Sequence, residues 1–480
     1  MKTTLLRTPT TRCRFGTARE DITPPVGAYH RMWGAAKHDR STGIHRPLVA
    51  DAVVLEPING DRTQQQVFVM LDHCLFRPPE MKEVRARTCE LLKLPSERLT
   101  ILFSHTHGAG LLTRERANLP GGDLIGPYLD SLPALIATAV ERAIASIQPV
   151  TLTYGSTDCR MGHHRDAFDE TAGIFVCGFN PDIDWPLPVK TIRATNAAGQ
   201  IVATLVNYPC HPTTLAWENT LVSPDYIGAL RETVEAATSA PCVFTLAPCG
   251  DIGPKADYVG DVSIADNNGR QVGFAALQAL AAMPPAQHDF AYRGPVFSGA
   301  TLGDWRYQPQ TDEHAALTAR FETRRVIVPL DYLPGMPTVD AVKSEMIQLA
   351  QDEAAASARG DAAEVARLRA LIERKRRLIE RIAPLPSGQY PYPVEIWTLG
   401  DATWIAVDGE PYYAVQSEIQ RRFPDRTLIF VTLSNGALAS YVPTREAYEK
   451  ALYQVEVAHV APGSLERIID GITAALSGAL

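Results

Sequence analysis

Residues 67–108 read VFVMLDHCLFRPPEMKEVRARTCELLKLPSERLTILFSHTHG. Two short apolar runs, 67–71 and 100–103, enclose a segment from Pro78 to Leu94. Within that segment Met81, Val84, Cys89 and Leu92 keep helical spacing. A buried strand, a crossover helix and a second buried strand form a βαβ unit, and its strands run parallel. Asp72 and His105 then stand at the C-terminal ends of neighbouring strands. Open α/β sheets place their sites at that edge.

The same order recurs along the chain. The run 201–206 is followed by Asn207-Tyr208-Pro209-Cys210-His211, and the run 242–246 by Pro248-Cys249-Gly250-Asp251. The run 404–407 leads into Asp408-Gly409-Glu410 and then a helix predicted from Pro411 to Phe423. The run 428–433 ends in a Ser434-Asn435-Gly436 turn. Polar, metal-capable residues follow each strand, so one face carries the chemistry. The pattern predicts an α/β chain of mixed β-sheets flanked by helices, with its site at the C-terminal strand ends. A single domain is expected over residues 1–480.

Residues 340–382 obey a different rule. Val342, Met346 and Leu349 keep helical spacing, as do Val365, Leu368, Ile372 and Ile379. Between them Gly360 acts as a helix stop, and Asp361 with Glu364 forms a capping-box pattern. This predicts an inserted helical hairpin, whose apolar stripes need a cover: a lid over the site, a homo-oligomer contact, or packing on its own domain. The run Arg374-Lys375-Arg376-Arg377 reads as its solvated face.

Bulk properties exclude several classes. The chain has 480 residues, 45% of them hydrophobic, and a net charge of −8. No strongly basic face is implied, so a nucleic-acid partner is not expected. No run approaches the roughly 18 apolar residues of a membrane span. The opening MKTTLLRTPTTRCRFG lacks a signal-peptide core. These features predict a cytoplasmic protein without stable membrane insertion, acting on a small-molecule substrate. The eight cysteines are scattered without a CxxC pair, as expected of reduced core residues.

Ser104-His105-Thr106-His107-Gly108 is the sharpest local signal. Histidines at i and i+2 after a strand project to the same side, and imidazole is a good zinc ligand. One ring can bind metal while the other serves as acid, base or hydrogen-bond donor. The alternative is two ordinary loop histidines.

SHTHGAG resembles the signature of the neutral/alkaline, non-lysosomal ceramidase family. Further segments resemble that family's motifs in the same order: Arg19 to Pro25, Gly43-Ile44-His45, Tyr208 to Thr213, Leu221 to Asp225, Cys249 to Pro254, Asp408-Gly409-Glu410, and Ser440 to Tyr448. The resemblance implies a zinc ion on His105, His211, Glu410 and Tyr441. It also implies that Arg160 faces the active site and that Tyr441 assists there. The neighbouring run Gly162-His163-His164-Arg165-Asp166 reads as an exposed loop, with a ligand role as the alternative. Asp72 and Asp225, with Asp251, stand where a carboxylate orients a metal-binding histidine; structural capping is the other reading for them.

The chain departs from the family pattern at three places. Gly253 replaces a serine, Gly108 to Leu112 is a reduced version of a glycine- and proline-rich rim, and the family's C-terminal β-sandwich is not expected here. The implied function is a zinc-dependent hydrolase that cleaves an N-acyl amide by metal-activated water, on a soluble substrate rather than long-chain ceramide. His107 is the expected proton carrier. Ester, lactone or glycoside hydrolysis on the same metal is the alternative, as is a non-catalytic, metal-stabilised binding protein.

Overall fold

Val67, Val69 and Leu71 face one apolar core, while Phe68 and Met70 face another. That period-two division is the behaviour of a strand buried on both sides. It shows how the layers stack in the computed structural model, which describes residues 4–184 and 186–478.

Eight strands form the larger sheet, in the order Cys242–Leu246, Ile201–Tyr208, Leu187–Asn196, Gln148–Cys159, Thr10–Asp21, Val49–Pro57, Gln66–Leu71, Leu99–Phe103. Each outermost pair is parallel and the inner pairs are antiparallel. The predicted βαβ unit is therefore present at one edge, with Val67 opposite Leu99 and Leu71 opposite Phe103. Its helix, Pro78–Leu92, ends at Lys93, which adopts a left-handed conformation.

A second sheet of four strands runs Phe321–Leu330, Tyr390–Leu399, Ala402–Val407, Thr427–Val431, and its last pair is parallel. Trp397, Trp404 and Ile429 pack face to face against Phe15, Phe68 and Leu152 of the larger sheet. The outer face of the larger sheet is covered by helices that include Ile125–Ala145 and Tyr226–Thr238. Ala414–Arg422 and Ser464–Leu476 cover the outer face of the smaller sheet. The fold is α/β, with two mixed sheets back to back between layers of helix.

Asn207 and Asn435 stitch the two sheets together. Asn207 Nδ2 donates to the Phe430 carbonyl at 2.8 Å. Asn435 Oδ1 accepts from Ile101 N at 2.9 Å, and Asn435 N donates to Ile101 O at 2.7 Å. The second sheet is thereby held at the C-terminal edge of the first.

The helical hairpin joins Phe321–Leu330 to Tyr390–Leu399, with arms Val339–Ala358 and Ala362–Ile382. Gly360 turns the chain at φ +73°, and Asp361 accepts from Glu364 N at 3.1 Å. Only half of a capping box forms, because Glu364 pairs with Arg367 at 2.7 Å. Arg116, fully buried, holds the second arm to the body of the chain through Glu373 and Glu380, each at 2.8 Å. Among the described residues, no helix is long and apolar enough to cross a membrane, and all eight cysteines are free.

His314 ties the N-terminal strand to both sheets' periphery. Its Nδ1 meets Asp289 and its Nε2 meets Asp401, both at 2.9 Å. Those aspartates also accept from Thr8 N and Thr10 N. Burial alone would lower the His314 pKa, but the two carboxylates outweigh it and raise it. A raised folded-state pKa gives stability that is full below about 6.5 and fades as pH rises through the folded value. His314→Ala is therefore expected to cost about 3 kcal/mol at pH 6, because it strands the buried Asp289. In urea titrations that deficit should shrink steadily toward pH 9; a deficit independent of pH would remove His314 from this role.

Candidate metal centre

His105 lies two residues beyond Phe103, and His211 lies three beyond Tyr208, at C-terminal strand ends of the larger sheet. Glu410 follows Val407 of the smaller sheet, and a two-residue parallel bridge sets Glu410 opposite Tyr441. This bridge also consumes Pro411, so the helix predicted from Pro411 begins only at Ala414. Gly409 makes the turn possible: its φ is +68°, and a Cβ there would sit 2.4 Å from the Ser440 carbonyl. Gly250 packs equally closely, since a Cβ would meet the Glu410 carbonyl at 2.5 Å.

The ligand atoms of His105, His211 and Glu410 all lie within 4.8 Å of one another. Both histidines are 1% exposed. His105 Nδ1 bonds the Cys74 carbonyl at 2.7 Å, and His211 Nδ1 bonds the Cys249 carbonyl at 2.7 Å. A carbonyl only accepts, so each Nδ1 carries the proton and each Nε2 is left as a lone pair when the ring is neutral. The two Nε2 atoms converge on Glu410 Oε2, at 3.2 and 3.0 Å. Tyr441 Oη lies 3.3 Å from His211 Nε2.

Three acceptors aimed at one point need positive charge between them. Burial and the nearby Arg165 push His211 down to about 3. Burial also opposes charge on His105, but Cys74 and Glu410 hold its pKa well above the usual value. Glu410 is kept well below the usual carboxylate range, because the histidines outweigh its own burial. Two imidazoles, a carboxylate and a phenol oxygen form a donor set that suits a divalent ion of borderline hardness, so the residues present fit a metal.

Arg165 is 2% exposed and borders this cluster. Its Nη2 donates to the Gly250 carbonyl at 2.7 Å and to Tyr441 Oη at 3.1 Å. Burial and Glu410 raise the Tyr441 pKa well above that of a free phenol, while Arg165 pulls it down. His107 faces the same space. Its ring lies 5.1 Å from that of His105 and 5.2 Å from Trp33. Both its ring nitrogens are buried without a hydrogen-bond partner. Burial, then His105 and His211, depress its pKa well below the usual value, so the ring is neutral.

The model of the neutral/alkaline non-lysosomal ceramidase N-terminal region matches residues 14–257, which is more than half of the chain. The chain belongs to the neutral/alkaline, non-lysosomal ceramidase family. The neutral ceramidase of Pseudomonas aeruginosa is 24% identical over 272 residues, covering 54% of this chain but only 40% of that protein. A ceramidase structure described as complexed with C2 and the crystal structure of the Pseudomonas aeruginosa neutral ceramidase each share this fold. Both have a TM-score of 0.62 at 18% identity over 98% of this chain, and they are covered to 76% and 75%. The family model's match includes His105 and His211 and stops short of Glu410 and Tyr441.

The expectations for Arg160, for the run Gly162 to Asp166 and for the three aspartates as orienting groups need correction. Arg160 is exposed and pairs with Asp184, away from the histidines; the inward arginine is Arg165. The run Gly162 to Asp166 is no exposed loop, because Gly162–His164 pairs with Ile252–Pro254 and buries Arg165. Asp72 instead binds Arg231 at 2.6 Å, while Asp225 takes the capping role, accepting from Tyr226 N at the start of its helix and from Leu215 N. Asp251 accepts from Tyr413 N at 2.7 Å. None of these three carboxylates reaches a histidine of the cluster, because backbone carbonyls already hold each Nδ1. At the serine-replacing Gly253, a Cβ would lie 3.0 Å from Asp257 Oδ2, so the Asp257 carboxylate fills space a larger residue would need.

Proposed function

We propose that this ceramidase-family chain hydrolyses an amide bond, with zinc held by His105, His211, Glu410 and Tyr441. The convergence of two Nε2 lone pairs on one carboxylate oxygen carries the reading. The family's name supports amide chemistry. Zinc would supply a Lewis acid that polarises a carbonyl and makes water acidic enough to ionise near neutral pH.

The remaining work falls to the chain's own groups. The Cys74 and Cys249 carbonyls fix both imidazoles in the tautomer that offers Nε2 inward. Arg165 donates to Tyr441 Oη, which lowers the cost of negative charge on that oxygen and on a substrate oxygen beside it. His107, neutral and unpartnered, accepts the proton released when water attacks the carbonyl carbon. It then passes that proton to the departing amine nitrogen. The C–N bond breaks, the hydroxyl stays on the acyl carbon, and the amine leaves neutral.

Zinc-loaded protein assayed against matched amide and ester pairs tests the reading. Soluble N-acyl amides are expected to turn over, and detergent-dispersed long-chain ceramide to be far slower. Ester turnover without amide turnover would sink the amide assignment, and ceramide turnover equal to the best soluble amide would restore the lipid as substrate.

A further inference from the structure

The cavity beside the metal centre has two unlike walls. His105, His107 and Glu410 form one; Arg77, Arg377 and Arg381 form the other. Arg77 precedes the helix of the βαβ unit, whereas Arg377 and Arg381 lie one turn apart on the second arm of the hairpin. Read as part of a solvated basic run, Arg377 instead turns inward.

The charges on the arginine wall do not balance. Arg116 occupies both Glu373 and Glu380 at 2.8 Å. Arg377 shares Glu373 at 2.8 Å and donates Nη2 to the Met32 carbonyl at 2.7 Å, so it is already engaged. Arg77 approaches Glu380 only to 3.6 Å, and its buried Nε has no hydrogen-bond partner. Arg381 has a buried, unpartnered Nε too. Among the described residues it makes no hydrogen bond or ion pair. Arg77, Arg116, Arg376 and Arg377 already share Glu373 and Glu380, and neither carboxylate reaches Arg381. Burial and then Arg77 push the Arg381 pKa down to about 10, which leaves it charged at neutral pH. A half-buried guanidinium with no counter-charge is free to take up an anion, and its planar fork matches a carboxylate or a phosphate; the amide chemistry proposed above favours the carboxylate.

Space and polarity narrow the ligand further. The enclosed part of the cavity measures about 80 Å³, enough for a carboxylate head and the atoms beside it, while the rest of a substrate lies toward the open side. Met32, Leu75 and Leu111 give it an apolar side. A compact substrate with a short apolar body suits these dimensions better than two long lipid chains.

We propose that the substrate is a small N-acyl compound bearing a carboxylate, which Arg381 and Arg77 bind while the scissile amide lies over His105, His211 and Glu410. This rests on the amide-hydrolase reading above. Water adds across the amide: the C–N bond breaks, hydroxyl joins the acyl carbon, and the proton goes to the amine nitrogen. The carboxylate itself is unchanged and serves to position the amide.

Two matched pairs test this and show which half carries the charge. Hexanoylglycine and its carboxamide place the charge on the amine half; succinic monoanilide and its carboxamide place it on the acyl half. With zinc-loaded wild type, kcat/KM for the anionic member of one pair should exceed that of its neutral partner by roughly 10- to 100-fold. Arg381→Gln should cut that ratio at least roughly tenfold, whereas Arg369→Gln, an exposed charge change on the same arm, should leave it intact. Equal rates within both wild-type pairs would overturn the charge assignment while leaving amide hydrolysis standing. Calorimetry with hexanoylglycine supplies a second readout. Binding lost in Arg381→Gln, with no amide cleaved by any protein, would keep the anion site and remove the amidase reading. An Arg381→Gln variant that binds and cleaves both members of each pair less well by the same factor would make Arg381 structural and overturn the proposal.

Discussion

His105→Ala and His211→Ala are each expected to purify without the metal that the wild type retains. Wild-type protein should hold about one zinc per chain, as a mononuclear site does. Removing either imidazole deletes a ligand and leaves Glu410 Oε2 facing a single Nε2. Loss of a partner that merely orients a ligand already weakens metal binding about 10- to 100-fold, so loss of a ligand should exceed that. Elemental analysis and competition against a chelator measure both quantities. Full occupancy in both variants would show that the ion sits elsewhere. Wild-type protein that takes up no zinc even when supplied with it would remove the metal from the site altogether.

The second large effect separates the two histidines of the His-Thr-His run. His107→Ala should keep its zinc and lose about 10²- to 10⁴-fold in activity, the usual contribution of a positioned acid or base. The structure makes this variant informative. The His107 ring nitrogens hold nothing else in place, so their removal breaks no hydrogen bond, and Trp33 remains to wall the space. If His107→Ala releases zinc as readily as His105→Ala, His107 is a ligand and the proton carrier lies elsewhere.

The parts of this molecule that were readable in sequence are those where one local rule decides. Strands 67–71 and 100–103 are apolar on both faces because each lies between helices and a second sheet, so their runs are unbroken. The hairpin showed through Gly360 and Asp361, whose cap chemistry is local. His105 stood out because imidazoles two residues apart after a strand are rare. Glu410 and Tyr441 could be found only by resemblance. A bridge between distant segments brings them together, and neither a lone Glu nor a lone Tyr marks itself.

What was missed was non-local or lacked a side chain. Arg165 is buried by pairing with Ile252–Pro254, far along the chain, so nothing nearby distinguished it from Arg160. The groups that orient the histidines are the backbone carbonyls of Cys74 and Cys249, which no residue type announces. Asp72, Asp225 and Asp251 were plausible from strand-end position alone, but arginine and backbone amides claim them first. Arg377 and Arg381 looked like surface charge because an amphipathic helix is read without knowing what lies under it.

The spacing between the two sheets has a further consequence. Both histidines ride on one layer, while Glu410 and Tyr441 ride on the other. The aromatic filling between the layers, with Phe68 5.0 Å from Trp397 and 6.5 Å from Trp404, therefore acts as a shim that sets the width of the jaws. Trimming a ring in that filling, far from any ligand, changes the gap across which all four donors must meet. A substitution in the dry interior would thus alter how the four proposed donors meet while leaving each of them in place.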